Sequence, residues 1–259
     1  MIDTSQRAPV EGQIIVVTGA ARGIGASLAA HLASHDAKVV IADLLRDEGL
    51  ALEEKLRAAG HDCVFHHTDV SDAASTRALA AATLDRYGRI DALVNNAAIY
   101  ESIGAKRHFT DITPSDWDRV MAVNARGVWL ATAAVYPAMK DQGYGRVVNI
   151  ASATVHAGVP FFAHYTASKG AVMAFTRSVA KEVGQDGIMV NAIAPGLVDN
   201  DASAVLNDVS YLPVLASQRA IARSMTESDL HGAITFFCSQ ASEFITGQTL
   251  VVDGGAIFT

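Results

Sequence analysis

Tyr165 and Lys169 stand four residues apart, and Ser152 precedes Tyr165 by thirteen residues. On a helix, residues i and i+4 share a face with Cβ atoms about 5 to 6 Å apart, so the Lys169 ammonium can lie beside the Tyr165 phenol. An unperturbed tyrosine has a pKa near ~10, and a neighbouring cation favours the phenolate. The pair predicts an acid/base group for use near neutral pH. The spacing alone is weak, because an exposed tyrosine and a solvated lysine on any amphipathic helix also satisfy it.

A short β-branched run places Ser152 near this pair. Residues 146–150 have the composition of a buried strand, and Ser152 follows its carboxyl end. Ligands of open α/β sheets bind at that end of the strands. A serine hydroxyl there can donate a hydrogen bond to a substrate oxygen that gains negative charge during the reaction. The alternative, a serine that caps the next turn, is disfavoured because Tyr165 and Lys169 follow it.

A second motif lies near the N-terminus, where a predicted strand over 13–18 runs into Gly19, Gly23 and Gly25 and then into an apolar helical stretch. Glycines allow a tight turn and a close approach to phosphate, and a helix N-terminus offers free N–H donors. The pattern predicts a pyrophosphate site. Its spacing is G-x-x-x-G-x-G rather than G-x-G-x-x-G, and by itself it is also compatible with a simple strand-to-helix turn.

The next predicted strand, 38–42, ends in Asp43. A carboxylate about 20 residues beyond the glycine turn can accept a hydrogen bond from the ribose 2′-hydroxyl of NAD, and it repels the 2′-phosphate of NADP. Arg22, inside the glycine loop, argues the other way because a guanidinium can bind that phosphate. We give Asp43 the greater weight and predict NAD rather than NADP as the cofactor.

The elements that position these residues follow a regular order. Apolar β-branched runs alternate with helical stretches, which predicts a parallel sheet with helices on both faces, an α/β fold. Without repeats, low-complexity tracts or linkers, residues 1–259 are predicted to form one domain. The strands are expected near Ile14, Val39, Val64, Leu93, Val147, Val190 and Val251.

The motifs resemble, in order, those of the short-chain dehydrogenase/reductase family, in its short single-domain branch. The resemblance covers nearly the whole chain and implies one Rossmann-like, doubly wound parallel sheet of about seven strands that binds NAD(P). The motifs that carry it are Thr18 to Gly25, Asp69 with Val70, Asn95 to Ala97, Asn124, Ser152 with Tyr165 and Lys169, Pro195 with Gly196, and 247–255.

The resemblance implies a catalytic tetrad. Tyr165 would exchange a proton with the alcohol or carbonyl oxygen, and Ser152 would hold that oxygen. Lys169 would lower the tyrosine's pKa together with the nicotinamide ring, and would bind the nicotinamide ribose. The backbone carbonyl of Asn124 would hold a water that connects Lys169 to solvent.

The resemblance also implies cofactor contacts. Asp69 and Val70 would flank the adenine, Asn95 would lie beside the cofactor, and the Val198 backbone would hold the nicotinamide amide. Two residues depart from the family pattern, Ala98 in place of a common glycine and Asn200 in place of a common threonine. Neither is a proton-transfer residue, and the properties they concern are cofactor affinity and the mobility of the loop after Gly196. The full predicted cofactor set is Gly19, Arg22, Gly23, Ile24, Gly25, Asp43, Asp69, Val70, Asn95, Ala97, Tyr165, Lys169, Pro195, Gly196 and Val198.

Residues 199–225 break the alternation of strands and helices and are predicted to form a loop that covers the substrate. The middle of this loop is apolar and suits a hydrophobic ligand. The other interpretation is a surface loop without that role. Apolar and aromatic residues near the active-site strands indicate a pocket for a hydrophobic, uncharged secondary alcohol or its ketone, aromatic or alicyclic. The predicted pocket residues are Tyr100, Ser152, Thr154, His156, Phe161, Phe162, Tyr211 and Leu212.

Two alternatives to this dehydrogenase remain open. The first is an NADPH-dependent reductase of 3-oxoacyl thioesters on acyl carrier protein, against which Asp43 argues. The second is a cofactor-binding sensor or structural partner without catalysis, against which the complete set of Asn124, Ser152, Tyr165 and Lys169 argues.

The net charge and the distribution of apolar residues indicate which kinds of partner the protein is expected to bind. The net charge is −7 without a basic cluster, which disfavours nucleic acid. No apolar run reaches the ~20 residues that span a bilayer, and no signal peptide pattern is present, so we expect a cytoplasmic protein without a membrane partner. Kinship with the family implies a homotetramer.

The cysteines and histidines predict neither a disulfide nor a metal site. Cys63 is expected to begin a strand and Cys238 to end a helix, both as small buried thiols. His31 with His35, and His66 with His67, lack the acidic residue of an H-E-x-x-H motif, and we expect them to be solvated.

Overall fold

The predicted alternation of strands and helices forms one parallel sheet in the computed structural model, which describes residues 9–207 and 211–259. Within these ranges the sheet has seven strands in the order β3-β2-β1-β4-β5-β6-β7. This confirms the α/β doubly wound fold and all seven predicted strands. The strands are β1 Ile14–Thr18, β2 Lys38–Asp43, β3 Cys63–His67, β4 Ala92–Asn95, β5 Gly145–Ile150, β6 Ile188–Pro195 and β7 Thr249–Val252.

Helices connect the strands and cover both faces of the sheet. A π-helical turn, Ala122–Arg126, joins α4 to α5. The helices of the described residues are α1 Gly23–Ala33, α2 Arg46–Ala58, α3 Ala73–Tyr87, α4 Pro114–Met121, α5 Gly127–Asp141, α6 Thr154–Ala157, α7 Ala163–Val183, α8 Asp201–Leu206, α9 Tyr211–Gln218 and α10 His231–Cys238.

The core lies on both sides of the sheet because successive residues of a strand point to opposite faces. In β1, Ile15 and Val17 pack in one buried cluster with Leu28 of α1, whereas Val16 packs in the other with Leu93 of β4. Burial of each such side chain contributes about 1.5 to 3 kcal/mol. A β-branched run without polar alternation is what a strand covered on both faces requires.

The order of the strands reverses between β1 and β4. Connections from β1 cross to one side of the sheet and those from β4 to the other, which leaves a crevice at the carboxyl ends of these two strands. The glycine turn after β1 and the segment after β4 both open into it. The fold therefore supplies a ligand cleft at the position where the sequence motifs meet.

The segment 199–225 is more regular than the sequence pattern indicated. It contains α8, whose N-terminus is capped by Asn200 in a reciprocal capping box with Ser203, and α9. A bridge between Val198 and Met225 closes its base. Residues 208–210 of the predicted loop lie outside the described residues.

The expectations for the two cysteines are confirmed. Cys63 begins β3 and Cys238 ends α10, both as buried free thiols. Within 9–207 and 211–259, no helix is long and apolar enough to cross a membrane. In the same part of the chain, no group of three or more histidine, cysteine or acidic side chains is arranged to hold a metal ion.

Histidines cluster where α1 packs on α10, in place of the solvated pair expected at His31 and His35. The His31 ring stacks on that of His231 with centroids 4.1 Å apart, and its Nε2 lies 2.9 Å from the hydroxyl of Thr235. Burial, followed by the charges of His231 and His35, lowers the pKa of His31 to about 4. The expectation of a solvated His31 is wrong because α10, distant in sequence, covers it.

This cluster predicts an acid-sensitive fold. An unfolded histidine has a pKa near ~6.5, so the unfolded chain binds a proton at His31 before the folded one does, and stability falls as pH drops from ~6.5 to about 4. His31→Asn should reduce that loss by about 1 to 2 kcal/mol, discounted for its partial exposure. Urea unfolding at pH 7.5 and at pH 4.5 measures the loss of unfolding free energy between the two pH values, and His67→Asn, at an exposed histidine, is the control. Equal losses in wild type and His31→Asn would contradict the assignment.

Candidate active site

A cleft of about 1280 Å³ opens at the carboxyl ends of the strands. Its walls come from the glycine turn after β1, the ends of β2, β4, β5 and β6, the start of α7, and α8 with α9. The sequence motifs that follow separate strands therefore face one continuous cavity.

The glycine turn is held tightly against the segment after β4. Gly19 has a φ of +64°, and a Cβ there would lie 2.6 Å from Cα of Ala97. A Cβ on Gly25 would overlap the carbonyl oxygen of Gly19. At Gly23, with φ of +54°, a Cβ would meet only the Asn200 amide nitrogen at 3.9 Å. Gly19 and Gly25 thus serve close packing, whereas Gly23 leaves open space at the mouth of the cleft.

The N-terminus of α1 fits a phosphate group. In the described part of the chain, no side chain caps this terminus, and its first turn contains no acidic residue. The first N–H groups of a helix have no partner within it, and the helix dipole favours an anion there. Because Gly23, Ile24 and Gly25 line the cleft, these donors can hold the pyrophosphate of a dinucleotide.

Asp43 lies where the sequence analysis places it, at the end of β2 and on the cleft wall. One carboxylate oxygen accepts a hydrogen bond of 2.8 Å from the Ala21 N–H, and the other accepts one of 2.9 Å from the Leu45 N–H. Each carboxylate oxygen has a second lone pair, so Asp43 can also accept from a ribose hydroxyl. The Asp43 side chain therefore holds the glycine loop in place and also faces the part of the cleft where a nucleotide could bind.

Arg22, whose guanidinium could bind the 2′-phosphate of NADP, forms an ion pair with a carboxylate of the protein. Its guanidinium lies 3.0 Å from the carboxylate of Glu101, which follows β4 on the opposite wall of the cleft. The pair neutralises the positive charge that a 2′-phosphate would need. Glu101 was not singled out from the sequence.

Tyr165 and Lys169 share one face of α7 and both line the cleft, although only 7% and 2% of their surfaces are exposed. The Lys169 ammonium donates a 2.6 Å hydrogen bond to the carbonyl oxygen of Ile150, the last residue of β5. Its nitrogen lies 5.8 Å from the centroid of the Tyr165 ring. The lysine is thus anchored to the sheet while it stands beside the phenol.

The pKa of Tyr165 is raised, opposite in sign to the effect expected from Lys169. Burial is the main cause, the neighbouring Tyr100 adds to it, and a hydrogen bond with Ser152 partly opposes it. Burial also lowers the pKa of Lys169 to about 8. The residue spacing indicates that Lys169 is a neighbour of Tyr165, but it does not indicate the burial of the phenol, which acts on the pKa in the opposite direction. In the protein alone, Tyr165 is a protonated phenol at neutral pH.

Ser152 stands just beyond β5, beside Tyr165. Its Oγ accepts a 3.0 Å hydrogen bond from the Thr154 hydroxyl, and both side chains line the cleft. Because Thr154 supplies a proton to this oxygen, the Ser152 O–H can point the other way, toward Tyr165 or toward a substrate oxygen held beside it.

Asn124 lies behind the cleft wall, fully buried in the π-helical turn. Its amide oxygen accepts from the Ile99 N–H at 2.7 Å, and its amide nitrogen donates to Ser168 Oγ at 3.2 Å. The side chain ties the segment after β4 to α7. The π turn also breaks the regular α-helical hydrogen-bond pattern, as such turns do at functional sites.

Asn95 differs from its predicted role. Its amide nitrogen donates to Thr132 Oγ1 at 3.1 Å and to Asn149 Oδ1 at 2.9 Å in a buried network, and it is not part of the cleft wall. The next residue, Asn96, lines the cleft and donates to the carbonyl oxygens of Thr18 and Gly19. Neighbouring residues at a strand end point to opposite sides, so the two roles differ by one position.

The remaining predicted cofactor residues line the cleft. Asp69 accepts hydrogen bonds from the Ser71 N–H and hydroxyl, which fixes its carboxylate. Ala98 needs no left-handed backbone, since the only described non-glycine residues with positive φ are Asp36 and Phe161. The residues placed in the wall are Gly19, Ala97, Asp69, Val70, Pro195, Gly196 and Val198, with Asn200 beside them.

An aromatic group forms the substrate end. The Phe162 ring stacks on Tyr165 with centroids 4.6 Å apart, and Tyr100 meets Tyr165 edge-on at 5.4 Å. Tyr211, on α9, closes the same end of the cleft. Of the predicted pocket residues, Tyr100, Ser152, Thr154, Phe162 and Tyr211 face the cleft.

Three predicted pocket residues lie elsewhere. His156, Phe161 and Leu212 are absent from the cleft wall. Phe161 has a φ of +60° and is 55% exposed, so the turn before α7 points it to solvent while Phe162 points inward. The prediction placed both phenylalanines in the pocket and is wrong for Phe161.

The sequence analysis missed several wall residues, chief among them Lys106. Lys106 donates to Asn207 Oδ1 at 2.7 Å, and both line the cleft. No motif marks a lone lysine between β4 and α4. Its partner lies 101 residues further along the chain, so only the fold brings the two together.

Comparisons with known proteins agree with this architecture. A family model described as enoyl-(acyl carrier protein) reductase matches residues 19–257. Trans-4-hydroxycyclohexanecarboxylate dehydrogenase of Sinomonas cyclohexanicum is 37% identical over 95% of this chain and 93% of its own. The residues that the family model matches include the glycine turn, the four residues Asn124, Ser152, Tyr165 and Lys169, and 247–255. The chain belongs to the short-chain dehydrogenase/reductase family.

Other members of the family carry different names. A 3-oxoacyl-[acyl-carrier-protein] reductase of Synechocystis is 36% identical over 95% of this chain and 97% of its own. A 3-alpha-(or 20-beta)-hydroxysteroid dehydrogenase of Mycobacterium bovis is 35% identical over 95% and 90%. A solved structure from Agrobacterium tumefaciens, provisionally assigned as a gluconate dehydrogenase, has a TM-score of 0.90 at 29% identity and covers 96% of this chain and 98% of that one. Membership supports an NAD(P)-dependent oxidoreductase.

Proposed function

We propose that this enzyme interconverts a secondary alcohol with an apolar body and its ketone, with NAD as the cofactor. The observation that carries the proposal is the meeting of Tyr165, Ser152 and Lys169 in one cleft, directly beside an aromatic group. The relatives named for a hydroxycyclohexanecarboxylate and for hydroxysteroids support a ring-bearing alcohol.

The chain's own residues account for the proton movements. Gly23, Ile24 and Gly25 would hold the pyrophosphate of the cofactor, which would supply a hydride acceptor for the carbinol carbon. Ser152 donates a hydrogen bond to the reacting oxygen and holds it beside Tyr165. Tyr165 takes the hydroxyl proton during oxidation and returns it during reduction. The phenol is protonated at neutral pH and so has a proton to give in ketone reduction, and the positive charges of Lys169 and the oxidised cofactor would oppose the effect of burial on its pKa in alcohol oxidation.

Lys169 and Asn124 hold the proton-transfer group in place. Lys169 is fixed on the Ile150 carbonyl, and Asn124 ties the segment after β4 to α7 through Ser168. Side chains locked by such contacts keep a reacting group in productive geometry. As the family pattern implies, the Asn124 carbonyl would hold a water that leads protons from Lys169 to solvent.

NAD rather than NADP is proposed because the nucleotide end of the cleft offers Asp43 and a neutralised Arg22. A carboxylate accepts from a ribose hydroxyl but repels a phosphate at the same place. The donors of the α1 N-terminus would bind the pyrophosphate of either cofactor.

A 3-oxoacyl thioester reductase that uses NADPH is the second candidate, favoured by the Synechocystis relative. Asp43 argues against it. The purified protein separates the two: we expect NADH formation from NAD with cyclohexanol-type, aryl or steroid alcohols, and little NADPH oxidation with an acetoacetyl thioester. The reverse pattern would establish the reductase. Tight NAD binding without turnover of any alcohol or ketone would favour the sensor.

We propose that the enzyme is a homotetramer. Apolar side chains are exposed on two surfaces: Trp117 and Trp129 on α4 and α5, and Leu250 on the edge strand β7 with Phe258 beyond it. Exposed apolar groups on separate faces suit two interfaces between copies. Sedimentation at micromolar concentration should give four times the chain's mass, and a stable monomer would reject the assembly.

A further inference from the structure

Lys106 places a cation at the aromatic end of the cleft. Its nitrogen lies 5.7 Å from the centroid of the Phe162 ring and 5.5 Å from that of Tyr211. It also donates a 2.7 Å hydrogen bond to Asn207 Oδ1. Two aromatic faces and an amide oxygen hold the ammonium where the pocket is otherwise apolar.

In the described part of the chain, the ammonium of Lys106 has an amide oxygen as its partner but no ion-pair partner. In the ranges 9–207 and 211–259, no carboxylate lies within 4.0 Å of its nitrogen. Glu101 lines the same cleft, but its carboxylate is paired with Arg22. A lysine carries three N–H donors, and among these residues Asn207 takes one. Burial lowers the pKa of Lys106, so an anion beside it would relieve an unfavourable environment.

Lys106 also lies close to the proton-transfer group. Phe162, which contacts the ammonium, stacks on Tyr165 at 4.6 Å, and Tyr100 packs edge-on against both rings. The cation and the phenol therefore flank one aromatic ring. A single small molecule in the cleft can reach both, with its apolar body along the wall that Tyr100 and Tyr211 also line.

We propose that Lys106 binds a carboxylate of the substrate, so that the reacting compound is a secondary hydroxy acid or keto acid with an apolar ring or short chain between its two polar groups. This inference rests on the proposed function and replaces the uncharged substrate expected from sequence. A carboxylate fits better than a phosphate because one lysine in an aromatic pocket balances one negative charge. Lys106 is then a specificity-determining residue, distinct from the catalytic tetrad.

Binding of an acid and its neutral amide tests the site without turnover. Cyclohexanecarboxylate and cyclohexanecarboxamide are titrated calorimetrically into the enzyme saturated with NADH. A charge-assisted hydrogen bond is worth about 1.5 to 3 kcal/mol, so the wild type should bind the acid about 10- to 100-fold more tightly than the amide. Lys106→Met should abolish that preference, whereas Lys106→Arg should keep part of it.

Controls separate this result from damage to the fold. Lys55→Met removes an exposed lysine of α2 and should preserve the acid preference. NADH affinity and the melting temperature should match the wild type in every variant used. Equal binding of acid and amide by the wild type, or an acid preference that survives in Lys106→Met, overturns the proposal.

Turnover distinguishes failure of this inference from failure of the alcohol chemistry. The kcat/KM for 4-hydroxycyclohexanecarboxylate should exceed that for its carboxamide about 10- to 100-fold, mainly through KM, and Lys106→Met should remove the difference. Equal kcat/KM values for acid and amide overturn the Lys106 site and leave the alcohol chemistry intact. Lys106-dependent acid binding without turnover of either compound supports the site and rejects that chemistry.

Discussion

Tyr165→Phe is expected to lower kcat for alcohol oxidation by about 10²- to 10⁴-fold, the range that general acid–base catalysis contributes. The variant keeps the ring that packs between Phe162 and Tyr100 but lacks the hydroxyl that exchanges the proton. Its core should therefore stay intact. Stopped-flow measurement of NADH formation under saturating alcohol and NAD gives kcat, and NAD affinity should change little.

Tyr87→Phe provides the matched control. Tyr87, at the end of α3, is half-buried and donates a 2.9 Å hydrogen bond to Asp62 away from the cleft. It should leave kcat unchanged while removing one comparable hydroxyl. If Tyr165→Phe turned over as fast as this control, proton transfer would have to be assigned to another residue.

Asp43→Asn should shift the preference from NAD toward NADP. The amide keeps the shape of the side chain and one oxygen to accept from the loop, but it removes the charge that repels a 2′-phosphate. Placing like charges together in a binding site costs several kcal/mol. The ratio of kcat/KM for NAD to that for NADP should therefore fall by about 10²-fold or more.

The control for this change is Asp47→Asn, at an exposed carboxylate in the first turn of α2. It removes a charge of the same sign nearby in sequence but outside the cleft, and should leave the ratio of cofactor efficiencies unchanged. Melting temperatures report whether the loss of Asp43's charge loosens the glycine turn. A wild type that prefers NADP, or an Asp43→Asn enzyme with an unaltered ratio, would move the specificity to Arg22.

The fold was accessible from sequence because its signals are local. Residues 14–18 are an unbroken β-branched run, and 39–41 are a second one, and a sheet covered on both faces buries such runs completely. Thr113 caps α4 and accepts from the Asp116 N–H, a contact between residues only three apart in the chain. Motifs at strand ends then locate the cleft, since parallel strands bring their carboxyl ends to one edge.

The site was harder to predict from the sequence in two situations. In one, neighbouring residues point to opposite sides of the backbone, and in the other, a side chain contacts a residue far away in the chain. Asn95 points into the buried network and Asn96 into the cleft, and Phe161 and Phe162 part in the same way. The spacing of the motifs predicts the same location for both members of each pair. Their directions depend on backbone geometry that residue types leave open.

Electrostatics was the least accessible property. Spacing correctly places Lys169 beside Tyr165, but burial, which raises the pKa of the phenol and lowers that of the ammonium, depends on the whole cleft. Lys106 contacts Asn207 only after the chain folds. The sequence around a single lysine in a loop therefore did not predict that this residue lines the cleft.

The central claim is that the cleft transfers a hydride from a secondary alcohol to NAD. The most direct test incubates the enzyme and NAD with 4-hydroxycyclohexanecarboxylate or cyclohexanol, each deuterated at the carbinol carbon, and analyses the reduced cofactor by mass spectrometry. The account predicts NADH that carries the deuterium, at a rate that Tyr165→Phe suppresses. Reduced cofactor without the label, or NAD that stays oxidised with every secondary alcohol while bound to the enzyme, would contradict it.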